Sequence, residues 1–161
     1  MAQRDGNTGR VLIVEDHLPT SRLMATAFQE VASGVTCIEV GTAEKALEFL
    51  TQTGNPSDTP EIVLLDLELP NNDGFAVLRT LKNDPELRRK PVVVMSATQS
   101  QEAINRCYEL HARTFISKPD EWEEFVEIAE AVSTYWFAAA ECPATTPFAR
   151  PEPGDTKVEI E

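Results

Sequence analysis

Four short apolar runs in this chain end in, or lead into, side chains that can do chemistry. Residues 10–16, Arg-Val-Leu-Ile-Val-Glu-Asp, close on the acids Glu15 and Asp16. Residues 61–66 close on Asp66, residues 91–96 close on Ser96, and residues 113–117 lead into Lys118-Pro119. If the first and third of these runs lie side by side, Glu15, Asp16 and Asp66 crowd three carboxylates into one pocket. Like charges a few ångströms apart repel strongly at intermediate dielectric, so such a pocket wants a cation. All-oxygen ligands in an open site suit Mg²⁺, or Mn²⁺, rather than a soft metal. Lys118 adds a fixed positive charge and Ser96 a hydroxyl donor. Such a set is built for phosphoryl transfer: the Asp66 carboxylate attacks phosphorus in line, with the metal, Ser96 and Lys118 sharing the charge on the equatorial oxygens. The product, an acyl phosphate, hydrolyses unless shielded, so the pocket suits a timed switch better than a turnover enzyme.

The elements that must hold these groups can be read from the apolar pattern. Residues 10–16 and 61–66 are continuous apolar runs of the kind buried on both faces of a sheet. Residues 35–40, 91–96 and 113–117 complete five strands. Between them lie helical stripes: Pro19 to Ala32 (Leu23, Met24, Ala27, Phe28, Val31), Thr42 to Thr53 (Ala43, Ala46, Leu47, Leu50) and Phe75 to Asn83. Two more follow, Gln101 to Ala112 (Ile104, Cys107, Tyr108, His111) and Glu121 to Ala139 (Trp122, Phe125, Ala129, Val132, Trp136). Residues 54–60, Gly-Asn-Pro-Ser-Asp-Thr-Pro, punctuate the chain between the second helix and third strand, and Asn71-Asn72-Asp73-Gly74 reads as a turn. Strands and helices in strict alternation predict right-handed βαβ units, an α/β fold with a doubly wound parallel sheet. In such a sheet ligands bind beyond the carboxyl ends of the strands, which is where the acids, Ser96 and Lys118 fall.

Composition narrows the class. The chain has 161 residues, about one domain, and is 42% hydrophobic, enough for a core without disulfides or a structural metal. A net charge of −13 argues against nucleic acid as a partner and against an anionic membrane surface. No apolar run approaches the roughly 18 residues of a transmembrane span, and the polar first ten residues do not read as a signal peptide. Cys37, Cys107 and Cys142 are isolated, as expected in a reducing cytoplasm. His17 and His111 read as incidental or packing residues.

The sequence resembles the receiver domain of two-component response regulators from about residue 10 to residue 138. The motifs that carry the likeness are Val14-Glu15-Asp16, Leu64-Leu65-Asp66-Leu67-Glu68-Leu69-Pro70, Met95-Ser96-Ala97 and Ser117-Lys118-Pro119, in that order. The resemblance implies a flavodoxin-like (βα)5 fold with strand order 2-1-3-4-5 and a receiver spanning residues 10–140. It implies Asp66 as phospho-acceptor, and Mg²⁺ held by Asp16, Asp66 and the backbone of Glu68, with Glu15 acting indirectly. Ser96 would be the switch hydroxyl, Lys118 the contact to the phosphoryl group, with a cis bond into Pro119, and Phe115 the rotating aromatic. Enzymatic activity would be limited to Mg²⁺-dependent self-phosphorylation and autodephosphorylation. Residue 17 departs from the family in being His rather than Asn or Asp. Glu68 and Thr98 occupy two positions that tune phosphoryl lifetime in the family.

A narrower likeness, in residues 84–91 (Asp-Pro-Glu-Leu-Arg-Arg-Lys-Pro), in Tyr135-Trp136-Phe137 and in Pro143, is to single-domain regulators serving phytochrome-type histidine kinases. It implies such a kinase as partner. The signal would then leave by protein contact or by transfer to a downstream phosphotransfer protein. Ile128, Tyr135 and Phe137 make the last helix apolar on a second side, which with Trp136 predicts a homodimer through that region. Residues 1–9 read as a flexible N-terminus and 141–161 as an acidic, proline-rich flexible tail. Two rivals are a receiver acting as an unphosphorylated scaffold and an aspartate-dependent phosphatase. The phosphatase is disfavoured because its Asp-x-Asp usually ends the first strand and because no cap segment is present to hold a substrate.

Overall fold

The computed structural model describes residues 9–32, 34–52, 59–70, 73–98 and 100–139. The expectations for the N-terminal segment and the tail lie outside these residues. Five strands, β1 (Gly9–Val14), β2 (Val35–Val40), β3 (Ile62–Asp66), β4 (Val92–Ser96) and β5 (Thr114–Ser117), form one parallel sheet in the order β2-β1-β3-β4-β5. The helices are α1 (Leu18–Val31), α2 (Ala43–Gln52), α3 (Asp73–Asn83), α4 (Gln101–Glu109) and α5 (Trp122–Val132). This is the doubly wound fold expected from the alternation of elements. Among the described residues no helix is long and apolar enough to cross a membrane.

The unbroken apolar strands are explained by two cores, one on each face of the sheet. Val11, Ile13, Ile62, Leu64, Val93 and Met95 point toward α1 and α5, where they meet Met24, Phe28, Phe125 and Ala129. Their alternates Leu12, Val14, Val63, Leu65, Val92 and Val94 point toward α2, α3 and α4, where they meet Leu50, Val77, Leu78 and Cys107. A period-2 strand buried on both sides has no polar face left to show. Fully burying a side chain such as Phe28 or Phe125, both essentially inaccessible, contributes roughly 1.5–3 kcal/mol.

Helix boundaries follow local capping. Thr42 Oγ1 accepts from the Lys45 amide at 3.0 Å to start α2, and Ser100 Oγ accepts from the Ala103 amide at 3.1 Å to start α4. The α3 helix begins at Asp73, so Gly74 is helical rather than part of a turn. A short 3₁₀ turn, Leu87–Arg89, follows α3; Asp84 Oδ1 accepts the amides of Glu86 (2.8 Å) and Leu87 (3.0 Å) ahead of it.

Several expected core positions are corrected. The α4 helix stops at Glu109, and His111, exposed, takes a left-handed conformation (φ 71°) beyond it instead of joining the apolar stripe. The His111 amide bonds Tyr108 O at 2.9 Å and the Ala112 amide bonds Cys107 O at 3.0 Å, a paired C-terminal closure that needs positive φ at His111. Leu23 of α1 (41% exposed) and Trp122 of α5 (36% exposed) are exposed rather than members of the buried core. Both sit at the margin of their helix's inward stripe. Beyond α5 the chain widens into a π-helical segment, Ser133–Ala139, in which Trp136 packs partly against the core and Tyr135 stays exposed. The side chain of Phe137 lies outside the described residues.

Candidate functional site

Strand register decides which side chains meet. Val14 pairs with Leu65, so Glu15, just past the end of β1, arrives beside Asp66 at the end of β3. Asp66 pairs with Met95, which places Ser96 next along β4. Ser96 pairs with Ser117, and the Lys118 amide donates to Ser96 O at 2.9 Å, bringing Lys118 over the same sheet end. Strand order reverses between β1 and β3, the position at which doubly wound sheets open a crevice.

In this crevice Glu15, Asp16 and Asp66 each offer a carboxylate oxygen, all within 4.8 Å of one another; Glu15 and Asp66 are buried and Asp16 is exposed. Lys118 Nζ lies 3.1 Å from Asp66 Oδ2 and 3.1 and 3.2 Å from the two Glu15 oxygens. The Glu68 amide donates to Asp66 Oδ1 at 3.0 Å and the His17 amide to Glu15 Oε2 at 3.1 Å. One cation therefore faces two buried carboxylates and a third at the rim.

The imbalance shows in the protonation equilibria. Burial, then the charge of Asp66, pushes the Glu15 carboxyl up to about 7 against the His17 amide and Lys118, which pull it down. Despite the desolvation of Lys118, its hydrogen bond to Asp66 and the Asp66 and Glu15 charges hold the ammonium above its ordinary value. Glu15 Oε1 accepts no hydrogen bond, although the Lys118 ammonium is close by. A buried carboxylate oxygen left without a donor, beside two other carboxylates, fits a hard divalent cation such as Mg²⁺ or Mn²⁺.

Three features correct or extend the sequence reading. The Lys118–Pro119 bond is trans, not cis as the resemblance implied. Lys118 reaches both acids with it trans, which for X–Pro bonds is the lower-energy isomer by about 0.5–1 kcal/mol. Glu68, expected to hold the metal through its backbone and to occupy a position that tunes phosphoryl lifetime, turns its side chain onto the β4–α4 loop. Its carboxylate accepts from the Ser96 hydroxyl and from the amides of Ala97 (3.1 Å) and Thr98 (3.2 Å). Against partial desolvation, the Ser96 hydroxyl and these amides hold the Glu68 carboxyl below its ordinary range. Only its place two residues after Asp66 pointed to it. Gly74, which the sequence predicts in a turn, packs against backbone instead: a Cβ there would fall 2.6 Å from Leu67 O and 2.9 Å from Asp66 O.

Phe115 pairs with Val94 in the sheet and packs partly on the α2/α3/α4 core, and its amide donates to the Tyr108 hydroxyl at 3.2 Å. Beside the acids an open cleft of roughly 430 Å³ is lined by Thr20, Ser96, Ala97, Lys118, Asp120 and Glu124 among others.

Residues 11–130 match the response regulator receiver domain, and the chain belongs to that family. It is 30% identical over 136 residues to the response regulator Rcp1 of Synechocystis, covering 83% of this chain and 92% of Rcp1. Among solved structures it is similar to the phosphorylated cyanobacterial phytochrome response regulator RcpA (30% identity, TM-score 0.75, 85% of this chain and 99% of that one). It is also similar to the Mn²⁺-bound form of Rcp1 (30% identity, TM-score 0.73, 84% and 99%).

Proposed function

We propose that this chain accepts a phosphoryl group on Asp66 from a histidine kinase of the phytochrome class and passes the signal on by protein contact. The observation that carries the reading is the Asp66 carboxylate at the end of β3, held 3.1 Å from Lys118 inside the Glu15–Asp16–Asp66 cluster. The kinase class is supported by similarity to RcpA, a phytochrome response regulator.

The residues divide the work as follows. One oxygen of Asp66 is fixed by the Glu68 amide and the other by Lys118, so the carboxylate is oriented before a donor arrives. It attacks phosphorus; the new O–P bond forms as the bond to the donor's leaving atom breaks. Lys118 and the Ser96 hydroxyl are placed to take charge on the transferred oxygens. Mg²⁺, or Mn²⁺, held by Asp16, Asp66 and the Glu68 backbone with Glu15 behind them, would supply the remaining charge neutralisation. Ser96 and Phe115 are the switch pair: an inward pull on Ser96 alters the β4–α4 loop, and Phe115 reports it to the face made by α4, β5 and α5. That face continues into Tyr135 and Trp136, whose rings meet edge-on with centroids 4.8 Å apart, and a second copy of the chain is the partner proposed for it. Turnover of external substrates is not part of this reading, and the proposed setting is the cytoplasm.

Intact-mass spectrometry after incubation with Mg²⁺ and acetyl phosphate tests the acceptor. A gain of one phosphoryl group, about 80 Da, is expected in the wild type and not in Asp66→Asn. Gain in both proteins would assign the wrong acceptor. No gain in either, from acetyl phosphate or from a phytochrome-type kinase, would favour the unphosphorylated scaffold.

A further inference from the structure

Three hydrogen-bond donors of the β4–α4 corner converge on one side chain. The Ser96 hydroxyl and the Thr98 amide reach Glu68 Oε2, and the Ala97 amide reaches Oε1. Ser96 is fully buried, whereas Glu68 is exposed, so the acid comes in from the solvent side to meet the hydroxyl. The same residue's backbone amide holds Asp66 Oδ1 at 3.0 Å. The proposed acceptor and the Glu68 carboxylate therefore lie two residues apart on one corner of the chain.

We propose that the Glu68 carboxylate is an internal competitor for the phosphoryl group: it occupies the Ser96, Ala97 and Thr98 donors in the unphosphorylated protein and must vacate them when an anion is bound at Asp66. This rests on Asp66 being the acceptor. A phosphoryl group brings between one and two negative charges and a set of acceptor oxygens to the crevice. The donors on the far side of that crevice already hold a carboxylate. Two anions cannot share one hydroxyl and two amides without strong repulsion at partly buried distances, so one must leave. Because Glu68 is tethered two residues from Asp66, it competes at high effective concentration. The apparent affinity for an incoming anion falls in proportion to the fraction of molecules in which the donors are free. The compensating benefit is order, since the donors are already aimed at a negative group before the phosphoryl arrives.

A purely structural brace predicts the opposite sign. If Glu68 only held the loop in shape, removing it would scatter the donors and weaken anion binding. The sign of the change therefore separates the two roles.

The test uses the whole chain as wild type, Glu68→Ala and Glu68→Gln, with beryllofluoride as the phosphoryl probe at saturating Mg²⁺. Amide proton and nitrogen shifts of Ala97 and Thr98 are recorded first without beryllofluoride, and its Kd is then measured by calorimetry. The expected result is that both amides move upfield in Glu68→Ala and that its Kd falls about three- to tenfold. Glu68→Gln, which keeps an acceptor oxygen but loses the charge, falls between. Unchanged amide shifts would overturn the proposal by removing the contact. Shifted amides with equal or weaker beryllofluoride binding would overturn it in favour of the brace. Failure of all three proteins to bind beryllofluoride, with no mass gain from acetyl phosphate, would overturn the acceptor reading and the competition with it, whatever the amide shifts show.

Discussion

The α carbon of Gly74 faces the carbonyl of Leu67 so closely that a methyl group on it would sit 2.6 Å from that oxygen and 2.8 Å from Leu67 Cα. The first turn of α3 thus rests directly on the backbone that carries Asp66. Ala is the better helix former by about 0.8–1 kcal/mol, but here the obstacle is backbone, which cannot swing aside. Gly74→Ala is expected to lower stability by about 1–3 kcal/mol in chemical denaturation and to weaken Mg²⁺ binding in a titration. A more stable variant with an unchanged Mg²⁺ isotherm would contradict this.

Glu15 makes the metal-free protein pH-sensitive. Its carboxyl titrates near 4.5 when unfolded and at about 7 in the fold, so the folded state binds the proton more tightly. Its contribution to stability is complete below about 4.5 and is lost as pH rises through about 7. In metal-free denaturation series, Glu15→Gln should match wild type near pH 4.5 and exceed it by on the order of 2–3 kcal/mol above pH 7. Saturating Mg²⁺ should shrink the gap. A gap independent of pH would show that Glu15 does not carry the effect.

Lys118 is the cation between two buried acids. Lys118→Ala leaves Glu15 and Asp66 facing each other, and at pH 8 without metal a loss of about 1–3 kcal/mol is expected, discounted because the ammonium is partly solvated. Addition of Mg²⁺ should recover part of it. Unaltered metal-free stability would contradict this role for the ammonium.

His111 holds the left-handed position that closes α4. Glycine meets that φ without a Cβ penalty, so His111→Gly should stabilise the fold by about 0.5–1 kcal/mol. Calorimetry would show this as a higher Tm. A lower Tm would mean that the exposed imidazole makes a contribution the backbone geometry does not reveal.

The fold was legible because both faces of the sheet are covered: runs such as residues 61–66 are too uniformly apolar for a strand exposed on one side. Asp66, Glu15, Ser96 and Lys118 were legible as strand-end residues because the apolar runs stop at them, while the strand order that brings them together came from the resemblance to receiver domains. Glu68 and Gly74 were not. Where an exposed acid turns its side chain, and how closely two backbones approach, depend on tertiary contacts that leave no periodic trace. His111 failed for a related reason, since its spacing fits the α4 stripe while the chain has already left the helix. The helix margins at Leu23 and Trp122 show that a stripe read from spacing alone is wider than the strip a neighbour covers.

The hydroxyl of Tyr108 accepts the outward amide of Phe115 on β5. β5 is the last strand of the sheet, and a last strand is an open template onto which any extended peptide can zip. Tyr108 plugs one rung of that ladder from a helix, not from another strand, and so guards the border of the sheet without extending it. Any displacement of α4 large enough to pull Tyr108 away therefore does more than reshape a surface: it unlocks a rung at the sheet's margin.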